Sequence, residues 1–244
     1  MIYKNYKELY KNPEEYNKIF TGSSNYEIKF YKDYLKKAKS VLYLGSGSGR
    51  LLKQFLKVNK NITGVEISKE MVSYSKKSLK NIKIINDNIL NLKLKQKFDL
   101  VLAPYRFICH LNKKELEKLF KVVNYHLKDK GLFVGDIFSP YLPHDRSIKC
   151  EINGIDIQGN FIDKVYNVYE HDKQLCYEVV ERFNIKTKEY GFIKVKWNYY
   201  YPEQLKQIGN KFSLKCINIY GSFKKEKLDK VSDDLIFVFE KSSK

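Results

Sequence analysis

The order of apolar and polar positions divides the chain into three regimes. From residue 41 to about 140, short apolar runs alternate with segments of helical spacing. Val41-Leu42-Tyr43-Leu44 is continuously apolar, as a strand covered on both faces should be. Residues 50–58 place Leu51, Leu52, Phe55 and Leu56 on one helical face. The pattern continues with a strand over 62–66, a helix over 68–80 that Ser68 can cap, and a strand over 82–86. A fourth strand spans 98–103, a helix capped by Asn112 spans 113–127, 128–131 reads as a turn, and a fifth strand spans 132–136. Ahead of this region, Tyr3, Tyr6, Tyr10, Tyr16 and Phe20 recur at near-helical intervals. Pro13 can open a helix there, and Gly22-Ser23-Ser24-Asn25 interrupts the run before it resumes over 26–37. Past Pro140 the period falls to two over 149–157, 161–169, 175–185 and 192–200, with turn residues between the runs. This predicts three or four antiparallel strands. Pro202 then opens a short helix, and 213–220 and 234–240 read as two closing strands of the main sheet.

The first strand runs directly into Gly45-Ser46-Gly47-Ser48-Gly49, and a helix follows. A glycine turn opening a helix lets a ligand approach bare backbone. A dinucleotide site asks for G-x-G-x-x-G, but the sixth position is Arg50 counted from Gly45 and Leu52 counted from Gly47. The spacing is G-x-G-x-G, and the second strand ends in Glu66, a carboxylate suited to the two hydroxyls of a ribose.

Together these stretches resemble motifs I and II of the class I S-adenosylmethionine-dependent methyltransferases, and among them the small-molecule enzymes such as amino-sugar N-methyltransferases. The resemblance is close over about 40–140 and looser elsewhere. It implies an α/β fold: a Rossmann-like, seven-stranded, mostly parallel sheet with helices on both faces, plus an inserted antiparallel β layer. The expected layout is one domain over 1–244, with a helical lid over 1–37, a core over 38–140 and 202–244, and the inserted sheet over 145–201. The implied cofactor is S-adenosylmethionine. By the resemblance it is held by Leu44, Gly45, Ser46, Gly47 and Gly49 in the turn, by Glu66, and by Ile67 and Met71 just beyond. Asp87, with Asn88 and Ile89, would meet the adenine, and Ala103 closes the fourth strand. Tyr6 and Tyr10 match the N-terminal region that closes over the cofactor.

The loop Pro104–Leu111 follows the fourth strand at the sheet edge where ligands sit in open α/β folds. His110 is the candidate general base, since an ordinary imidazole titrates near 6.5. Tyr105 and Arg106 are candidate acceptor contacts, Arg106 through bidentate bonding to an anionic group. One departure from the family stands at Tyr43, where an acidic residue usually helps hold the cofactor's amino end. Backbone carbonyls, Asp136 or an N-terminal tyrosine could replace it, or the chain could bind cofactor without catalysis.

Composition narrows the partners. With 43% hydrophobic residues the chain can build a core, and no apolar run reaches membrane-spanning length. The N-terminus lacks a signal-peptide pattern, so a cytoplasmic protein is expected. Cys109, Cys150, Cys176 and Cys216 stand singly, which argues against a zinc site and for reduced structural thiols. The net charge of +18 comes almost wholly from lysines spread along the chain; the arginines are Arg50, Arg106, Arg146 and Arg182. Such a spread suits solvated faces of an AT-rich coding sequence better than a nucleic-acid footprint. The expected partner is a small-molecule methyl acceptor, a sugar, amino acid or secondary metabolite offering an amine or hydroxyl, on a monomer or homodimer without membrane association. The alternatives are an RNA or protein methyltransferase using the basic surface, and an inactive cofactor binder.

Overall fold

The computed structural model describes residues 8, 10–19, 24–80, 82–141 and 160–243, and the backbone of 150–158. Tyr6 lies outside the described residues. Two helices, α1 (Pro13–Ile19) and α2 (Asn25–Leu35), precede the main sheet. Then come β1 (Val41–Leu44), α3 (Arg50–Phe55), β2 (Ile62–Glu66), α4 (Lys69–Ser78), β3 (Lys83–Asn86) and β4 (Phe98–Ala103). After β4 come a single 3₁₀ turn (Phe107–His110), α5 (Lys113–His126) and β5 (Leu127–Phe138). Four strands follow, β6 (Cys150–Gln158), β7 (Phe161–Glu170), β8 (Leu175–Asn184) and β9 (Tyr190–Asn198). The chain closes with α6 (Pro202–Lys211), β10 (Leu214–Tyr220) and β11 (Asp234–Lys241).

The main sheet has the order β10-β11-β5-β4-β1-β2-β3. Its strands are parallel except β11, which runs antiparallel to both neighbours. The central strands are buried on both faces, which is why runs such as Val41–Leu44 are apolar without alternation, while the edge strands β3 and β10 are partly exposed. Leu42 and Leu44 of β1 join Val101, Phe237 and Phe239 under α5 and α6. Val41 and Tyr43 join Leu100, Val134 and Val238 under α2, α3 and α4. Alternate residues of one short strand thus serve two cores.

The four strands β6-β7-β8-β9 form a separate antiparallel sheet with hairpin connections. The period-two pattern therefore has the predicted meaning. The stretch expected as a turn at 128–131 is instead a bulge inside β5. Leu127 pairs with Phe98 and Leu132 with Leu100, so the residues between are extruded while the strand continues. Lys130 takes a left-handed φ of 63° there. Helix α5 feeds straight into the strand, leaving the bulge to absorb the surplus length.

Candidate functional site

The glycine turn is a set of backbone contacts with distinct causes. Gly45, Gly47 and Gly49 all have positive φ. At Gly49 a Cβ would lie 2.9 Å from Leu79 Cδ1 and 3.0 Å from Ser75 Oγ, so this glycine lets α4 pack against the turn. At Gly47, with φ +54°, a Cβ would meet nothing within 4 Å. Packing does not exclude a side chain there; the space in front of the backbone is open. The Ser75 hydroxyl donates to the Gly47 carbonyl at 2.9 Å and fixes the turn from behind.

Glu66 faces this opening. Its residue surface is 6% exposed, and its two carboxylate oxygens each accept one backbone N–H at 2.9 Å, from Gly47 and from Ser68. A carboxylate has about four lone-pair sites, so acceptor capacity remains for ligand hydroxyls. Glu66 thus ties the glycine turn to the start of α4. Beside it Ile67 is 66% exposed, an apolar side chain presented at the rim. Met71, in the first turn of α4, is wholly buried. At the end of β3, Asn88 caps the following 3₁₀ turn by accepting from Leu90 N–H at 2.9 Å, and Ile89 is buried beneath. Asp87 is exposed, and one of its oxygens accepts from Asn88 N–H at 2.7 Å. Asn88 does the capping, so Asp87 is the carboxylate that faces outward. Leu44 and Ala103 close their strands fully buried, and Ser46 is buried in the turn.

The loop after β4 is strained and clamped. Tyr105 and Arg106 both have left-handed backbone, φ 64° and 53°. Each such non-glycine residue costs about 1–2 kcal/mol. Asp136, at the end of β5 and 1% exposed, accepts the N–H of Tyr105 at 2.9 Å and of Arg106 at 2.8 Å, and the hydroxyl of Tyr31. Burial pushes its carboxyl up to about 6, against the Tyr31 hydrogen bond and Arg106, which pull it down. Asp136 is therefore enclosed by the loop it holds.

Arg106 also has a structural partner. Its Nε and Nη2 donate to Asp234 Oδ1 at 3.1 and 2.6 Å, and its guanidinium stacks 4.1 Å over the Phe138 ring. This guanidinium thus anchors the loop to β11. Tyr105 is half-buried beneath the Arg50 guanidinium, 4.7 Å above its ring, and burial raises its hydroxyl pKa.

His110 ends the 3₁₀ turn with its ring 4.4 Å from that of Trp197 on β9. Burial lowers its pKa to about 4, so the imidazole is neutral at physiological pH. Two further bonds hold the inserted sheet to this loop: Asn198 Nδ2 donates to Cys109 O at 3.1 Å, and the Tyr200 hydroxyl to Leu111 O at 2.5 Å. A crevice follows the seam, walled by Phe138 from β5 and by Tyr169, Trp197 and Tyr199 from the inserted sheet and its end.

The N-terminal helices meet the same rim. Ser68 Oγ donates to Tyr10 O at 3.1 Å, and Ser48 Oγ to Asn17 Oδ1 at 2.6 Å. The Tyr10 and Tyr16 rings pair at 5.4 Å, and Tyr16 reaches the apolar face of the inserted sheet at Ile193 and Val195. Sequence reasoning missed Tyr16 and Glu27 as site residues. Glu27 is 6% exposed on α2, and its charge reaches Tyr31, Tyr43 and Tyr105. Its signal was legible, because Glu27, Phe30, Tyr31 and Leu35 form one buried helical stripe, and a carboxylate on such a stripe is exceptional. Tyr43 is buried against Phe55, with ring centroids 5.8 Å apart, as a core residue.

A glycine turn with open backbone, bonded to a carboxylate at the end of the neighbouring strand, is a geometry that suits a nucleoside ligand in an open α/β sheet. Residues 41–131 match the model of a methyltransferase domain. The ribosomal RNA small subunit methyltransferase A of Wigglesworthia glossinidia brevipalpis is 28% identical over 214 residues, covering 86% of this chain and 66% of that protein. The chain spans between 55% and 66% of the length of the curated relatives it matches. Among solved structures, an S-adenosylmethionine-dependent methyltransferase from Clostridium acetobutylicum ATCC 824 superposes with a TM-score of 0.77 at 20% identity, covering 94% of this chain and 97% of that one. An amino pentose methyltransferase from Micromonospora echinaspora, solved with S-adenosylmethionine bound, gives a TM-score of 0.74 at 13% identity, covering 94% and 96%. The methyltransferase-domain match covers residues 41–131, and the chain as a whole shares the fold of these solved methyltransferases. Among the described residues no helix is long and apolar enough to cross a membrane.

Proposed function

We propose that the chain transfers the methyl group of S-adenosylmethionine to an amine or hydroxyl of a small molecule bound between the N-terminal helices, the loop after β4 and the inserted sheet. The observation that carries this reading is the open backbone at Gly47 facing Glu66, beside an aromatic crevice. The donor set fits the cofactor. Glu66 would accept the ribose hydroxyls and Asp87 the adenine amino group, with Ile67 against the ring. Glu27 would stand near the amino end in place of the acid that Tyr43 replaces. When bound, the cofactor supplies an electrophilic methyl on a sulfonium. The residues of this chain align the acceptor and exclude water. A neutral His110 accepts a hydrogen bond from the acceptor's N–H or O–H; with its conjugate acid near 4 it orients the nucleophile more than it strips the proton.

Calorimetry should find S-adenosylmethionine and its demethylated product bound in preference to NAD, and labelled-methyl transfer to a panel of small amines and alcohols should identify an acceptor. Preference for NAD sinks the reading. One observation favours a second reading, methylation of RNA: the similarity to a ribosomal RNA methyltransferase on a chain of net charge +18. Phosphate binding by dispersed lysines collapses with salt. A selective RNA complex that survives physiological salt would make RNA the acceptor.

A further inference from the structure

The rim of the sheet beside the glycine turn carries two opposite charges on elements outside that turn. In the main sheet β1 lies between β2 and β4. Glu66 closes β2 and Asp87 follows β3, so a nucleoside seated on them points the rest of its chain across the glycine turn toward β4. Glu27 and Arg50 flank that path. Helix α2 ends just ahead of β1, so its first turn, which holds Glu27, lies at the carboxyl end of the sheet. Tyr31, one turn further along the same buried stripe, fixes the direction, since its hydroxyl donates to Asp136 at the end of β5. Arg50 follows Gly49 and opens α3, and its guanidinium lies 4.7 Å from the centre of the Tyr105 ring, in the loop after β4. The charges of Glu27 and Arg50 both reach the hydroxyls of Tyr43 and Tyr105, with opposite signs.

The chemistry of the pair selects its complement. A carboxylate takes the N–H donors of an ammonium, and a guanidinium takes a carboxylate through its planar fork. An α-amino acid group carries both charges on one carbon, so it alone answers both residues at once. Tyr43 on β1 is an uncharged phenol buried against Phe55, so a carboxylate for the ammonium has to come from another element. We propose that Glu27 and Arg50 divide the amino-acid end of the cofactor between them, Glu27 holding its ammonium and Arg50 its carboxylate. The inference rests on the cofactor reading above. It adds a second anchor, built on α2 and α3, to the nucleoside contacts of β2 and β3, and it gives Arg50 a role in setting which adenosyl compounds the chain accepts.

The test is calorimetry on the full chain with S-adenosylhomocysteine and three relatives of it. The aminopropyl analogue keeps the ammonium alone, the carboxypropyl analogue keeps the carboxylate alone, and methylthioadenosine has neither. Each charged group lost should weaken binding at least about tenfold, the low end for a hydrogen bond to a charged group. Glu27→Gln should weaken S-adenosylhomocysteine and the aminopropyl analogue by about that factor, without weakening the carboxypropyl analogue or methylthioadenosine. Arg50→Gln should weaken S-adenosylhomocysteine and the carboxypropyl analogue, without weakening the other two. This crossed pattern shows which residue meets which group, and methylthioadenosine, which needs neither residue, reports that each variant is folded. Equal losses on every ligand would make the two residues structural and overturn the proposal, as would unchanged affinities in both variants. Wild-type binding of methylthioadenosine as tight as that of S-adenosylhomocysteine would overturn it without any variant. Failure of both to bind the wild-type chain is a different result: it strikes the cofactor reading itself, and the second anchor falls with it.

Discussion

Replacing Glu66 by Gln separates two tasks that one carboxylate performs. Each oxygen accepts a backbone N–H at 2.9 Å, one from Gly47 and one from Ser68. A glutamine keeps one acceptor oxygen and must turn its NH₂ toward the other amide, donor against donor. The site is nearly closed to solvent, so one N–H is left unpaired, at a cost of about 1–3 kcal/mol. For a chain of this size each kcal/mol moves Tm by roughly 2–4 °C, which predicts a fall of about 2–12 °C by calorimetry. If Glu66 also accepts the ribose hydroxyls, the same change should weaken S-adenosylhomocysteine by roughly ten- to a hundredfold, the equivalent of about 1.5–3 kcal/mol. The two readouts are independent. A full fall in Tm with unchanged affinity leaves Glu66 as a clamp of the turn and moves the ribose elsewhere. An unchanged Tm refutes the clamp itself, and with it the claim that the turn is shaped by this carboxylate.

Gly47→Ala should weaken the cofactor at least tenfold with a stability loss of about 1–2 kcal/mol from its left-handed backbone, whereas Gly49→Ala should cost more stability because its Cβ meets Leu79 at 2.9 Å; calorimetry on both variants checks the contrast. Stability against pH should show two opposing slopes. Asp136 has its carboxyl raised to about 6, so its contribution is present at low pH and lost as pH rises from about 4 through 6. His110 is lowered to about 4, so its contribution is present above about 6.5 and lost as pH falls toward 4. Denaturant titrations from pH 4 to 7 should therefore steepen upward with pH in Asp136→Asn and downward in His110→Phe; identical profiles in both would contradict the assignment. Arg106→Lys should lower Tm through loss of the Asp234 contact and the Phe138 stack while leaving S-adenosylhomocysteine affinity within about twofold.

Periodicity located the central strands of the main sheet because burial on both faces forces unbroken apolar runs such as Val41–Leu44, and the inserted sheet by its alternation. The bulge at 128–131 was misread as a turn, since Gly131 beside charged residues has the same local chemistry in both, and only pairing with β4 distinguishes them. The glycine turn and the carboxylate bonded to it were legible because the constraint is local: glycine spacing, and an acidic residue at a strand end. The roles of Arg106 and Asp136 were not, because each depends on a partner more than 20 residues away, Asp234 for one and the amides of Tyr105 and Arg106 for the other.

The sequence by itself determined the order of elements, the glycine turn and the acid that faces it, for these follow from short-range sterics and from the period of burial. Only the tertiary structure decided which charges are free to meet a ligand. Arg106 and Asp136 are bonded within the fold, while Asn167 and Glu178, 11 positions apart, are set side by side by the β7–β8 register, with no hydrogen bond to Asn167 Oδ1 among the described residues. Charge alone does not mark a site; the absence of a partner does, and partners are assigned by packing.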